Sequence, residues 1–195
     1  SSALSITPAT LTYNAAVTNS TYGSTPSVNA GTVTGYVNGE NQASATTGTL
    51  LFSTTATATS NVGNYAITGS GLVANHGNYV FTQLAGNTTA LTIQKATLNA
   101  TGTQEYNGST TFSSANLVIT GVNGQTFAVS GTAQMLAKNV QVNQQLQDVS
   151  GLVLTGNSGA LLSNYNPLSI ANTSISITPK SVTIMAPNVS KTYDA

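Results

Sequence analysis

The chain has 195 residues with no cysteine, no tryptophan and one histidine, and only 4% of its residues are charged, four Lys/Arg balancing four Asp/Glu. A soluble protein carries about 25% charged residues, so this composition excludes a basic face for phosphates, an acidic cage for a hard cation, a disulfide framework and a well-stocked acid–base site. Apolar residues at 39% and a mean hydropathy of +0.07 still supply enough surface to bury for folding, while no apolar run reaches the ~18 residues of a membrane span.

In chain order, short runs rich in Thr, Val, Ile and aromatics, bounded by Gly or Asn, predict strands at 9–17, 49–54, 65–68, 79–84 and 89–98. Residues 38–45 lack alternation and predict one or two helical turns. Further strands are expected at 117–120, 126–130, 141–149, 152–155 and 174–184. Because residues 90–100 contain neither Gly nor Pro, one strand is expected to run unbroken from 89 to 100 and to make a stiff joint. Pro8 and Pro179 stand at the equivalent joints, where they fix φ.

Internal repetition explains that equivalence. Ile6-Thr7-Pro8-Ala9-Thr10-Leu11-Thr12 is echoed by Ile93-Gln94-Lys95-Ala96-Thr97-Leu98-Asn99 and by Ile177-Thr178-Pro179-Lys180-Ser181-Val182-Thr183, at spacings of 87 and 84 residues. Tyr22-Gly23-Ser24, Tyr106-Asn107-Gly108 and Tyr193-Asp194-Ala195 follow those isoleucines by 16, 13 and 16 residues. Gly35-Tyr36-Val37-Asn38-Gly39 returns as Gly121-Val122-Asn123-Gly124. The expected organisation is therefore a β module over 1–95, a second over 96–181 and the start of a third repeat over 182–195.

These markers, with Phe52-Ser53-Thr54-Thr55-Ala56, Asn61-Val62-Gly63-Asn64-Tyr65-Ala66-Ile67 and Asn78-Tyr79, make the first module resemble the MBG repeat of YGX type. The second resembles the YDG repeat through Tyr106-Asn107-Gly108-Ser109-Thr110, Leu117-Val118-Ile119-Thr120-Gly121-Val122, Val129-Ser130-Gly131-Thr132-Ala133, Lys138-Asn139-Val140 and Asn164-Tyr165. It departs from that pattern at Asn107, where the family has Asp, and at Gln141, where Gly usually follows; Ala195 replaces Gly in the third copy. The resemblance implies tandem repeats of very large secreted bacterial exoproteins similar to filamentous haemagglutinins, including two-partner-secretion and biofilm-matrix adhesins. The fold it implies is all-β, or β with one short helix, in two small elongated modules. A β-grasp-like module is favoured; an immunoglobulin-like sandwich is the alternative, because Gly63-Asn64-Tyr65 resembles a tyrosine corner.

The function expected on these grounds is non-catalytic: a rigid stalk whose partners are neighbouring repeats of the same polypeptide, secreted or on the bacterial surface, monomeric, with no cofactor, nucleic acid or membrane insertion. His76 sits in a turn without acid, Cys or second His nearby, and no Gly-x-Ser-x-Gly elbow accompanies it. The alternative function is binding of host glycans or matrix polysaccharide by a Thr/Asn/Tyr surface, with Tyr36 and Tyr165 as the candidate contacts. Against that stands a simpler reading of the tyrosines. Those in Asn64-Tyr65, Asn78-Tyr79 and Asn164-Tyr165 each begin a strand, so they can bury the ring while the hydroxyl finds a backbone partner; Tyr22 and Tyr106 read as aromatic plugs of turns. The sequons at Asn19, Asn87, Asn99, Asn107, Asn172 and Asn188 are as many as chance supplies at this Ser/Thr content.

Overall fold

Thr, Val, Ile and aromatic runs punctuated by Gly and Asn favour extended backbone. The computed structural model, which describes residues 4–157 and 159–193, is accordingly β-sheet with one four-residue α-helix and several 3-10 turns. The third Tyr marker's Asp194 and Ala195 lie outside the described residues. The chain divides into two compact units. The first comprises Ser1–Leu98, Gly121–Gln125 and Gly156–Pro167; the second comprises Asn99–Thr120, Thr126–Thr155 and Leu168–Ala195.

The first unit contains β1 (Ala9–Ala15), β2 (Thr18–Thr21), β3 (Gly31–Thr34), α1 (Gln42–Ala45), β4 (Thr46–Ser53), β5 (Gly63–Tyr65), β6 (Thr68–Ala74), β7 (Tyr79–Gln83) and β8 (Leu91–Gln94). One sheet has the order β3-β1-β7, with β1 antiparallel to β3 and parallel to β7, Ala9 opposite Tyr79. A second has the order β2-β8-β5, with β8 parallel to β2 and antiparallel to β5. β4 and β6 form an antiparallel pair with a register shift.

The strand expected at 9–17 thus breaks at Ala16 and Val17 as the chain passes from one sheet to the next, and its partner breaks likewise at the 3-10 turn Ala85–Thr89. Breaks of this kind strand backbone groups, each costing about 1–3 kcal/mol if buried unpaired. Asn87, 3% exposed, answers them. Its side chain accepts from Ala15 N at 2.9 Å and donates to the Tyr13 carbonyl at 2.9 Å and to Gln83 Oε1 at 3.0 Å. One of the six sequons is therefore an internal strut.

The helix expected at 38–45 is confined to Gln42–Ala45, because Asn38 and Gly39 adopt positive φ. Asn41 caps it: its side chain accepts from Ser44 N while Ser44 Oγ accepts from Asn41 N, the reciprocal capping box. Around Leu11, Ile67, Leu91 and Ile93, all at most 1% exposed, the core gathers Tyr13, Phe52 and Tyr79. Tyr13 stacks on Phe81 at 5.2 Å and meets Phe52 edge-on at 6.4 Å.

The second unit contains β9 (Asn99–Glu105), β10 (Thr111–Ser113), β11 (Leu117–Thr120), β12 (Thr126–Met135), β13 (Gln141–Gln144), β14 (Leu146–Asp148), β15 (Leu152–Gly156) and β16 (Thr173–Thr178). They form one sheet ordered β10-β12-β11-β9-β16-β13, with β14 and β15 also pairing to β12. Its first and last strands pair in parallel, Ala100 opposite Thr173, as β2 and β8 do in the first unit. Phe112, Ile119, Met135, Leu146 and Ile175 make the core. Buried Gln104 donates to the Thr111 carbonyl at 3.1 Å and accepts from Ser113 N at 3.0 Å, which fixes the segment after the Tyr106 turn.

Four further expected strands are corrected. The one expected at 65–68 falls on the break between β5 and β6, where Ala66 and Ile67 belong to neither. The unbroken strand from 89 to 100 is two strands, β8 and β9, separated by Lys95–Leu98. There Ala96 makes an isolated parallel bridge to Tyr165, donating to the Asn164 carbonyl at 3.0 Å and accepting from Asn166 N at 2.8 Å. The strand expected at 141–149 divides at Gln145, and the one expected at 174–184 stops at Thr178, just before Pro179.

Candidate functional site

His76 is exposed in a turn at φ 57, and among the described residues no group of three His, Cys, Asp or Glu could hold a metal. What the first unit repeats instead is a latch built from a turn and a tyrosine.

Val37-Asn38-Gly39-Glu40 is a tight turn in which Asn38 and Gly39 have φ of 53 and 76 and Glu40 N donates to the Val37 carbonyl at 3.0 Å. Two successive positive φ values define a type I′ turn, for which Asn-Gly is the favoured pair. The hydroxyl of Tyr79, the first residue of β7, accepts from Val37 N at 3.1 Å and donates to Glu40 Oε2. Val122-Asn123-Gly124-Gln125 repeats the arrangement: Asn123 and Gly124 have φ of 53 and 73, and Gln125 N donates to the Val122 carbonyl at 3.1 Å. The Tyr165 hydroxyl accepts from Val122 N at 3.1 Å and donates to Gln125 Oε1. Even the backbone approach is shared, since Ala9 N donates to the Asn78 carbonyl at 2.9 Å as Ala96 N does to that of Asn164.

The second latch is covered by the Tyr22 turn. Tyr22 and Tyr165 meet edge-on at 5.5 Å, and Gln125 Nε2 donates to the Tyr22 hydroxyl at 2.9 Å. Gln125 therefore serves two tyrosines, accepting with its oxygen and donating with its nitrogen, which a carboxylate cannot do. Val122 packs so closely that a Cβ at Gly23 would lie 2.5 Å from its Cγ2. Buried Asn164 completes the contact, accepting from Val62 N at 3.0 Å and donating to Asn61 Oδ1 at 2.9 Å.

Of the two candidate glycan contacts, Tyr165 is 2% exposed with both faces of its hydroxyl engaged as described. Tyr36 is half-buried, edge-on to Tyr79 at 6.1 Å, with its hydroxyl oxygen inside the protein. The structure does not bring the two together: each sits at a different latch. Tyr65 donates to the Asn61 carbonyl at 2.7 Å, so the tyrosines of all three Asn-Tyr pairs bond to backbone. Glu40, Gln125 and Asn164 were not singled out as site residues, although Glu40 and Gln125 occupy the same place in the repeated Val-Asn-Gly motif.

The latches hold their protons tightly. Donation to Glu40 raises the Tyr79 hydroxyl above its ordinary 10.0, and burial raises those of Tyr36 and Tyr165. A group whose folded-state value is raised contributes stability that is complete below its unfolded value and lost as pH rises through the folded one. Melting temperature is accordingly expected to hold between about pH 7 and 9 and to fall above about pH 10, with the share of tyrosinate absorbance due to Tyr36, Tyr79 and Tyr165 appearing late in the folded protein. Equal absorbance titrations of the parent and of a Tyr79→Phe, Tyr165→Phe variant above about pH 10, once scaled for the two missing rings, would contradict the latch geometry.

No curated protein and no solved structure matches the chain. Residues 11–92, which run from within β1 into β8 and include the first latch, match the family model of the MBG domain (YGX type).

Proposed function

We propose that the chain is a non-catalytic run of tandem repeats, an MBG module followed by a YDG-like one, that serves as a rigid extracellular stalk in a large bacterial surface or biofilm-matrix adhesin. The observation that carries this reading is the latch present twice, once within the MBG-matched residues 11–92 and once beyond them: a structural element reused at the repeat interval is what a spacer built by duplication requires. Scarcity of charge suits a passive scaffold, and the two tyrosines offered for glycan stacking have structural work of their own. The described residues contain no helix long and apolar enough to cross a membrane.

Small-angle scattering tests the stalk. A compact globule of this length has a radius of gyration of about 16 Å. A stalk segment is expected to exceed that clearly, with a pair distribution skewed to long distances. A symmetric distribution at the globular value would overturn the proposal.

A further inference from the structure

Leu4-Ser5-Ile6-Thr7 belongs to no strand, and Leu4 and Ile6 are 90% and 88% exposed. The same phase of the repeat is occupied by Leu91-Thr92-Ile93-Gln94 and by Ile175-Ser176-Ile177-Thr178. Those two segments are β8 and the end of β16, and their apolar residues are at most 2% exposed. Each is a central strand, parallel to the strand that leads into a Tyr turn and antiparallel to another: β8 to β2 and β5, β16 to β9 and β13. The alternation that buries Leu91 and Ile93 on one face is present in Leu4 and Ile6 without a sheet to receive it.

The neighbouring surface tells the same story independently. An open pocket beside the first latch is lined by Ile6, Pro8, Val37, Asn38, Glu40 and Tyr79. Their counterparts Val122, Asn123, Gln125 and Tyr165 are the residues that the Tyr22 turn covers. Where Gln125 donates to a tyrosine hydroxyl, the first latch has the exposed carboxylate of Glu40, an acceptor for such a hydroxyl.

We propose that Leu4–Thr7 is the closing central strand of another repeat of this fold, set before the first unit in the polypeptide, and that the Val37–Glu40 turn receives that repeat's Tyr turn. Each repeat then lends its first strand to the sheet of its predecessor. The inference rests on the tandem-repeat reading above, and it names the surface through which repeats join. A separate copy of this chain is a poor occupant, since its own β8 and β16 already fill the corresponding positions.

The test is a protein in which residues 1–174 run directly into residues 4–195 of a second copy, so that Leu4-Ser5-Ile6-Thr7 stands where Ile175–Thr178 stood. Hydrogen exchange at the junction amides is expected to be at least about 100-fold slower than at the same amides of the 195-residue chain. The peptide over residues 36–40 should split into two equal isotope envelopes, one for the covered latch and one for the open latch. Junction amides as fast as in the single chain, or a single fast envelope at 36–40, would overturn the proposal. So would slow exchange at residues 4–7 that depends on the concentration of the single chain, since self-association would then be the occupant. Ile6→Asp supplies a second reading. It should leave the single chain's melting temperature within about 1 °C, and at the junction it should abolish the slow exchange. Destabilisation of the single chain by this substitution would show that Ile6 is already packed. Scattering from the same tandem protein reads the stalk separately: slow exchange in a compact particle removes the stalk and keeps the strand assignment, and fast exchange in a long particle does the reverse.

Discussion

Tyr165→Ala is expected to destabilise the protein by about 3–5 kcal/mol, the range for removing a fully buried aromatic ring. The ring is 2% exposed, packs edge-on to Tyr22 and closes the turn at Val122–Gln125 through its hydroxyl. Tyr165→Phe separates the two contributions. It keeps the ring and leaves Val122 N without its tyrosine acceptor and Gln125 Oε1 without its tyrosine donor, at a cost of about 1–3 kcal/mol. Urea denaturation of both variants, read at constant slope, measures the difference. An alanine variant within about 1 kcal/mol of the parent would mean that the ring is not the plug described.

Gly35→Ala should be comparably severe from a single added methyl. Gly35 has φ of 106, beyond the small left-handed region that other residues visit, and a Cβ there would collide with the carbonyl oxygen of Thr10 in β1. Backbone blocks backbone, so no rotamer change relieves the contact, and a loss of about 3 kcal/mol or more is expected. Gly39→Ala, four residues on in the Val37–Glu40 turn, is the matched control, with φ of 76 and nothing within 4 Å of the added carbon. It should cost about 1 kcal/mol. Equal denaturation midpoints for the two variants would refute the argument.

The all-β class and strands such as β1, β4, β8, β11 and β16 were legible because alternation and β-branched residues report burial of one face, whereas β6 (Thr68–Ala74) and β9 (Asn99–Glu105), each interrupted by glycine, and the short β10 (Thr111–Ser113) were not. β7 and β15 fall where Tyr79 and Leu152 open short apolar runs. β2 and β3 were missed: Thr18–Thr21 and Gly31–Thr34 carry few apolar side chains, none of them buried, and are held by their neighbours' ladders. The break at Lys95–Leu98 was invisible for a related reason. Nothing in that stretch disfavours a strand, and only the distant Asn164 and Asn166 backbone draws Ala96 out of line. The helix was legible as a loss of alternation, yet its length was set by the Asn-Gly turn before it. At the site, the Asn-Tyr pairs announced ring burial with a bonded hydroxyl, and Tyr79 and Tyr165 behave so; Tyr65 bonds backbone from a half-buried ring, and only Tyr79 begins a strand, since Tyr65 ends β5 and Tyr165 lies outside the strands. The partner side chains were harder, because Gln125 acquires its role only when Tyr22 and Tyr165 arrive from about 103 and 40 residues away.

The parallel pairing of early and late strands also governs when this chain can fold. Ala9 meets Tyr79 and Ala100 meets Thr173, separations of 70 and 73 residues, so each sheet with a parallel pair is completed by contacts spanning nearly a whole repeat, unlike the local β4–β6 pair. Non-local closure of this kind is slow, because loop entropy is spent before the ladder returns any of it. A chain emerging from a pore with its amino end first would hold the opening strand of each repeat in waiting until the last had cleared. Completion would then proceed one repeat at a time, in the order of emergence.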